Sequence, residues 1–185
     1  MRYLKLLVLY AGLAAGANTA VADTSALISL AKGDLVRLQT HGESRAVATT
    51  VFYDAQGKPT DMSAYRGKHV VLNFWALWCA PCVKEMPALN ELGAELGGAN
   101  FEVVTVAAGR NSRPAVDQFF KQKELSHLPK LFDPKMEFVR DIGGRGLPLT
   151  VLIGPDGREV ARMSGDAEWD SPEALALMRG WIAGS

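Results

Sequence analysis

Cysteine and histidine are scarce in this sequence, and positive charge is neither in excess nor clustered. The 185 residues include two cysteines and three histidines, so any metal site has few soft ligands to draw on. The 20 Lys and Arg residues equal the 20 Asp and Glu residues in number, which gives a formal net charge of zero. No Lys/Arg cluster gives the electrostatic footprint of a nucleic-acid binder, so we exclude nucleic acid as a partner.

The N-terminal residues have the pattern of an export signal. Arg2 and Lys5 precede an apolar run over residues 6–17, and residues 20–22 read A-V-A, a small-residue cleavage site. The run is shorter than the roughly 20 residues of a transmembrane helix. We therefore expect a signal peptide at residues 1–22, with an uncleaved membrane anchor as the alternative. The residue directly after the cleavage site is not a cysteine, which excludes a lipoprotein.

The rest of the chain, residues 23–185, is predicted to form one exported α/β domain. Hydrophobic patterning predicts helices that alternate with strands in a mixed sheet, with helices on both sides. The predicted strands are 49–53, 69–75, 101–107, 128–132, 150–153 and 159–163. The predicted helices are 25–38 with an interruption at Gly33, a single turn at 62–66, a helix that opens at the cysteines and ends at Gly97, then 114–123, 134–142 and one that starts at Ser171.

Both cysteines lie where the most hydrophobic strand meets the next helix. His69–Trp75 is a continuous apolar and β-branched run, typical of a strand that is buried on both faces. Cys79 therefore lies at a helix N-terminus, whose partial positive charge stabilises a thiolate. Cys82, one turn later, is expected on the inner side of that turn. Cys79 can then attack a target disulfide, and Cys82 can resolve the mixed disulfide.

Three other uses of the cysteine pair stay open at this point. A structural disulfide is the first, although closing so short a loop stabilises a fold by about 2 kcal/mol, against nearly 5 for a loop of roughly 100 residues. A zinc site is the second, but it needs two more ligands, and His41, His69 and His127 are not paired at ligand spacing. The third is peroxidase chemistry by one activated cysteine with a remote resolving partner.

Two longer stretches carry a resemblance to a known family. GKHVVLNFWALWCAPCVKEMPAL resembles the strand, redox motif and helix of the TlpA-like, or ResA-like, thiol-disulfide oxidoreductases of the thioredoxin superfamily. RGLPLTVLIGPDGREVARMSGDAEW resembles their cis-proline loop and β-hairpin, and the region around Trp169 is closest to the TlpA type. The resemblance implies a thioredoxin-like fold, a mixed central β-sheet flanked by helices, with an N-terminal helical extension and a TlpA-type insertion over residues 108–132.

The resemblance also implies roles for individual residues. Cys79 would be the nucleophile and Cys82 the resolving cysteine of a redox-active disulfide. Pro148 would be the cis-proline that packs against this disulfide and exposes the Leu147 backbone for strand-like pairing with a substrate. The residues expected to contact substrate are Trp78, Ala80, Pro81 and Leu147.

One departure from thioredoxin directs attention to a glutamate. Asn73 stands where thioredoxin buries an aspartate, and an amide cannot take a proton from the resolving thiol. Glu85 follows Cys82 by three residues, so helical spacing places it near the same face. In the ResA-like proteins a glutamate at this place lies near the redox site, where partial burial would raise its pKa. We expect Glu85 to act as the base, and a solvated surface glutamate is the alternative.

The expected direction of the reaction is reduction of protein disulfides in the periplasm. Ala80 and Pro81 bring no charge to the cysteine pair, so the thiolate is only moderately stabilised, which favours a better reductant. The resemblance implies cytochrome oxidase subunit II or a Sco-type copper chaperone as substrate, with apocytochrome c as the alternative, and a membrane thiol-electron transporter as reductant. We expect a monomer without a cofactor or metal.

A function of another class is a Sco-like copper-binding chaperone on the same fold. Sco proteins use a C-x-x-x-C pair with a distant histidine, whereas this chain has C-x-x-C.

Overall fold

The fold is built on an eight-stranded mixed β-sheet. The computed structural model describes residues 24–184. Its strands are β1 (Gln39–Ala46), β2 (Phe52–Tyr53), β3 (Pro59–Thr60), β4 (His69–Trp75), β5 (Phe101–Ala108), β6 (Leu131–Asp133), β7 (Leu149–Ile153) and β8 (Arg158–Ser164). They are ordered β1-β8-β7-β4-β5-β6-β2-β3. β4 runs parallel to β5 and antiparallel to β7, which confirms the predicted mixed sheet.

In the described part of the chain, five α-helices flank the sheet: α1 (Thr24–Leu30), α2 (Ala80–Leu96), α3 (Arg113–Gln122), α4 (Glu137–Asp141) and α5 (Pro172–Ala183). Short 3-10 helices span Gly33–Arg37 and Met62–Tyr65. α1, α2, α3 and α5 pack into one core, and α4 packs with the second 3-10 helix into the other. Helices on both faces of the sheet are therefore confirmed.

Strand β4 holds the centre of the molecule. All seven of its residues are buried, as expected for a strand between two helical layers. Because neighbouring side chains point to opposite faces, Val71 and Trp75 enter the core that contains α2, while Leu72 and Phe74 enter the other. The ring centroid of Trp75 lies 5.4 Å from that of Phe119, so Trp75 is a core residue.

Several element boundaries differ from the prediction for identifiable reasons. The helix predicted over 25–38 is split into α1 and a 3-10 helix, and the break falls at Gly33, whose φ is +57°. The strand predicted over 49–53 is reduced to β2.

The helix predicted over 134–142 begins later, as α4, at Glu137. The buried Asp133 carboxylate accepts hydrogen bonds from the backbone N–H groups of Glu137 (2.9 Å) and Val139 (3.1 Å), which caps the helix there.

The predicted insertion over residues 108–132 forms α3 and the connections that lead from β5 into β6. The predicted signal peptide or anchor at residues 1–22 lies outside the described residues. Within residues 24–184, none of the helices combines the length and the hydropathy that crossing a membrane requires.

Candidate active site

A four-residue turn, residues 76–79, leads the chain from β4 into α2. The backbone N–H of Cys79 donates to the carbonyl of Ala76 (3.1 Å), and the carbonyl of Cys79 accepts from Val83 (3.0 Å) as α2 begins. Pro81 lies in the first turn of α2, where its missing N–H removes no intrahelical hydrogen bond. The cysteines thus lie at the strand-to-helix junction that the hydrophobic pattern predicts.

Cys79 and Cys82 form a disulfide, with Cα atoms 5.2 Å apart. Cys79 is 7% exposed, whereas Cys82 is completely buried in the core beneath α2. An attacking thiol can therefore reach the first residue of the pair and not the second. This difference in exposure favours Cys79 as nucleophile and Cys82 as resolving cysteine, the order that the sequence predicts.

The surface around Cys79 contains an exposed aromatic side chain. Trp78 is 62% exposed, and Ala80 and Pro81 are also exposed. Tryptophan is enriched at protein contact surfaces relative to the rest of the surface. These three residues stay the predicted substrate contacts.

Leu147 and Pro148 lie at the same end of the central strands as the disulfide. They immediately precede β7, and β7 is antiparallel to β4, so the start of β7 lies beside the end of β4, where Leu149 is paired with Phe74. The Leu147–Pro148 peptide bond is cis, as the resemblance implies. Pro148 is buried and Leu147 is half-buried. Their contact with substrate stays a prediction.

Asn111 supports the active-site turn, and sequence reasoning missed it. Its Oδ1 accepts a hydrogen bond from the backbone N–H of Leu77 (2.9 Å), and its Nδ2 donates to the carbonyl of Ala108 (2.9 Å). The insertion between β5 and β6 is thereby fixed to the turn that carries the cysteines.

Glu85 is buried, so its interpretation as a solvated surface residue is wrong. It is 3% exposed, and both carboxylate oxygens accept hydrogen bonds. Oε1 accepts from Nδ2 of Asn73 (2.9 Å). Oε2 accepts from the backbone N–H of Ala167 (3.2 Å) and from the indole Nε1 of Trp169 (3.0 Å). Ala167 and Trp169 have no sequence signal for this role, because they follow Glu85 by more than eighty residues.

The pKa of Glu85 is raised from 4.5 to about 7, mainly because burial removes the carboxylate from water. The hydrogen bonds from Asn73, Trp169 and Ala167 oppose this shift, and the nearby charge of Asp166 adds to it. A carboxyl group with a pKa near neutrality can both take up and release a proton, which is what general acid–base catalysis requires.

Asn73 is completely buried on β4, at the centre of this network. Its Nδ2 donates to Glu85 and also to Oγ1 of Thr150 (3.0 Å) on β7. Its Oδ1 is buried and has no hydrogen-bond partner within the described part of the chain.

A cavity of about 430 Å³ gives Glu85 access to solvent. It lies along α2 and the segment before α5. Its lining is mostly acidic and consists of Asp34, Lys84, Glu85, Pro87, Ala88, Asp166, Ala167, Glu168 and Asp170.

The three histidines lie away from the disulfide. His41 pairs with Glu159 (2.6 Å) between β1 and β8. His69 begins β4, so the length of that strand, about 20 Å, separates it from the cysteine turn. His127 donates its backbone N–H to Asn90 in the second half of α2. Among residues 24–184, no group of three or more His, Cys, Asp and Glu side chains is placed to hold a metal ion.

A C-x-x-C disulfide at the start of a helix, beside a central buried strand and a cis-proline, defines the class of thioredoxin-like proteins. Residues 40–178 match the sequence profile of the Redoxin family, and the chain belongs to that family.

Two relatives in sequence are both named thiol-disulfide oxidoreductase ResA. The protein from Bacillus thuringiensis is 35% identical over 116 residues, which cover 63% of this chain and 66% of the relative. The protein from Bacillus subtilis is 34% identical over 115 residues, which cover 62% of this chain and 63% of the relative. The chain thus spans slightly less than two thirds of the length of these relatives. The resemblance to ResA-like proteins is confirmed.

Solved structures show the same fold. A putative thiol:disulfide interchange protein DsbE from Chlorobium tepidum superposes with a TM-score of 0.66 at 24% identity, covering 75% of this chain and 96% of that one. The exposed lipoprotein thioredoxin of Streptococcus pneumoniae gives a TM-score of 0.60 at 28% identity, covering 74% and 99%. The predicted thioredoxin-like fold is therefore confirmed.

Proposed function

We propose that this protein is a thiol-disulfide oxidoreductase that reduces protein disulfides through the Cys79–Cys82 pair. The observation that carries this proposal is the position of the disulfide at the start of α2, with Cys79 7% exposed and Cys82 completely buried. The exposed side chain of Trp78 offers a contact surface for a protein substrate beside it. The relatives named ResA support the same reaction class.

The reaction begins with the reduced dithiol. The Cys79 thiolate attacks one sulfur of the substrate disulfide, which forms a mixed disulfide and releases the first substrate thiolate. The Cys82 thiolate then attacks the Cys79 sulfur, which closes the Cys79–Cys82 disulfide and releases the second substrate thiolate. Two electrons pass to the substrate, and both of its thiolates take up protons. The protein is left in the oxidised form described above.

Glu85 acts as general base in the second step. Cys82 must lose its proton before it can attack, and no solvent reaches it directly. Glu85 lies one helical turn further along α2, and its pKa of about 7 leaves part of the population ionised near neutral pH and able to accept a proton. It takes the Cys82 proton and passes it to solvent through the cavity that it lines.

The neutral residues between the cysteines favour reduction over oxidation. Ala80 and Pro81 give the Cys79 thiolate no ionic partner, so the dithiol form is less stabilised than it would be beside a cation. We place the protein in the periplasm as a monomer, where a membrane thiol-electron transporter supplies its two electrons. Its substrates are the copper-site thiols of cytochrome oxidase subunit II or of a Sco-type chaperone, with the haem-site cysteines of apocytochrome c as the second candidate.

The test is a comparison of three oxidised substrates. The reduced protein is mixed anaerobically with the copper domain of cytochrome oxidase subunit II, a Sco-type chaperone or an apocytochrome c, and released substrate thiols are counted by mass spectrometry after alkylation. We expect one substrate to be reduced at least tenfold faster than the others. A Cys79→Ser/Cys82→Ser double variant is the control, and equal, control-level rates for all three would contradict the proposal.

A copper-chaperone function is the second candidate. The placement of the three histidines disfavours it, since each lies away from the cysteine pair. Anaerobic titration of the reduced protein with Cu(I), and of both redox forms with Cu(II), in the presence of a competing chelator, separates the two functions. Stoichiometric binding that survives competition would replace the reductase proposal with the chaperone.

A further inference from the structure

The two oxygens of the Glu85 carboxylate have different kinds of partner. Oε2 accepts from the backbone N–H of Ala167 and from the indole N–H of Trp169. Both groups are permanent donors, since neither can turn around to accept a hydrogen bond. A proton on Oε2 would therefore compete with these two N–H groups for the same oxygen and would displace at least one of them.

Oε1 has a single partner that can change its role. It accepts from Nδ2 of Asn73, and the carboxamide of asparagine carries a donor and an acceptor at its two ends. The acceptor end, Oδ1, is buried without a hydrogen bond within the described residues. Rotation of the amide by half a turn would bring this unused oxygen to Oε1.

The other neighbour of Asn73 tolerates either orientation of the amide. Oγ1 of Thr150 accepts from Nδ2 at 3.0 Å, and a hydroxyl group can donate to Oδ1 equally well after rotation. An aspartate at position 73 would behave differently, because a second carboxylate beside Oε1 would repel the charge of Glu85. An amide can adapt to the proton without adding charge.

We propose that Glu85 takes up its proton on Oε1, and that Asn73 is the positioning residue that accommodates it by inverting its side-chain amide. In the ionised state Nδ2 donates to Oε1. In the protonated state the Oε1–H group donates to Oδ1, while Ala167 and Trp169 hold Oε2 in place. The consequence for catalysis rests on the proposed function, because Oε1 then becomes the oxygen that receives the Cys82 proton.

The charged groups near Glu85 lie on the side of the cavity. The uncharged Asn73 of β4 contacts Glu85, Thr150 of β7 contacts Asn73 in turn, and Cys82 on the same helix as Glu85 is held in the disulfide. The charged residues that line the cavity with Glu85 are Asp34, Lys84, Asp166, Glu168 and Asp170. Lys84 pairs with Asp166 at 3.2 Å. A change in any of these charges would move the midpoint of the Glu85 titration without selecting which oxygen is protonated.

The test is an NMR titration of the oxidised protein. The Glu85 side-chain carboxyl carbon, the Asn73 side-chain amide and the Trp169 indole N–H are followed over about two pH units on either side of neutrality. We expect the Asn73 amide signals to shift with the same midpoint as Glu85 and to exchange faster with solvent below it. The Trp169 indole signal stays hydrogen-bonded throughout. Asn111 is the matched control amide, because both ends of its side chain bond backbone groups that do not titrate.

A Glu85→Gln variant supplies the second arm. Its amide oxygen can accept from Ala167 and Trp169 only if its NH2 group faces Asn73, so this variant holds Asn73 in the inverted orientation. We expect its Asn73 signals to match the low-pH signals of the unsubstituted protein and to be independent of pH.

Two results would overturn the inference. Asn73 signals that stay constant while Glu85 titrates would exclude the inversion. A Trp169 indole signal that loses its hydrogen bond below the midpoint would place the proton on Oε2. Failure of the proposed function would leave this titration unaffected, because the oxidised protein needs neither a substrate nor a reductant for it.

Discussion

The indole nitrogen of Trp169 donates a hydrogen bond to the Glu85 carboxylate over 3.0 Å, and 84 residues of sequence separate the two. The bond connects the helix that carries the cysteines to the segment before α5. Together with the bonds from Asn73 and Ala167, it holds a buried carboxylate one helical turn from Cys82.

Replacing either cysteine with serine should change the amount of mixed disulfide that accumulates, in opposite directions. Cys82→Ser removes the resolving thiol, so we expect Cys79 to stay covalently bound to its substrate. Cys79→Ser leaves only a buried thiol, so we expect little or no adduct. Non-reducing electrophoresis and mass spectrometry of both variants, expressed in the periplasm, measure the adducts. A stable adduct with Cys79→Ser alone would reverse the two roles.

The exchange rate should depend on the ionisation of Glu85. The base must be ionised to accept the Cys82 proton, so the rate of the unsubstituted protein should rise as pH increases through about 7. Glu85→Gln should lower the rate by on the order of 10²-fold and remove this step from the pH profile. Stopped-flow measurement with a fixed disulfide substrate checks both effects.

Glu91→Gln is the matched control for that experiment, because it makes the same change on the exposed side of the same helix. Its rate and pH profile should equal those of the unsubstituted protein. If Glu85→Gln retained the unsubstituted profile, Glu85 would be a structural residue and the Cys82 proton would leave by another route.

Stability should also depend on pH through Glu85. The pKa of Glu85 is about 7 in the folded protein, against 4.5 for an ordinary glutamate. Between pH 4.5 and about 7, Glu85 is therefore protonated in the folded state and ionised in the unfolded chain. The contribution is fully present below pH 4.5 and is lost as pH rises through about 7. The free energy of unfolding should fall by on the order of 3 kcal/mol relative to Glu85→Gln over this range. Urea unfolding of both proteins at several pH values measures it, and parallel curves would contradict the prediction.

Gly144 should be intolerant of a side chain. A Cβ atom there would lie 2.7 Å from Cγ1 of Val139 and 2.9 Å from both Cδ2 of Leu149 and the carbonyl oxygen of Val139. We expect Gly144→Ala to destabilise the fold by about 1–3 kcal/mol. Gly146→Ala, in the same loop, meets no heavy atom within 4 Å and should change stability by less than about 0.5 kcal/mol. Thermal unfolding compares the two, and equal midpoints would show that the loop moves to accommodate Gly144→Ala.

The elements around the cysteines could be predicted from the sequence because local patterns determine them. β4 has the predicted bounds, since its seven buried residues form a mostly apolar run. α2 opens beside the cysteines and ends before Gly97, as its repeat of apolar residues indicates. The turn at residues 54–57 is local as well, since the Asp54 carboxylate accepts hydrogen bonds from the backbone N–H groups of Gln56 and Lys58.

Features that depend on distant partners could not be predicted. β1 reads Q-T-H-G-E-S-R-A, a polar segment at the edge of the sheet, and His41 is its only buried residue. His41 is buried because it pairs with Glu159 of β8, which no local pattern indicates. The burial of Glu85 has the same origin. Helical spacing placed it near Cys82, but the groups that enclose it, Ala167 and Trp169, come from another part of the chain.

The distance in sequence between Glu85 and Trp169 also sets an order of events during biosynthesis. A chain made at about 5–20 residues per second contains Cys79 and Cys82 roughly 4–18 s before Trp169 has been added. During that interval the Glu85 carboxylate still lacks its indole donor. The growing chain thus contains both thiols before it contains every donor to the Glu85 carboxylate.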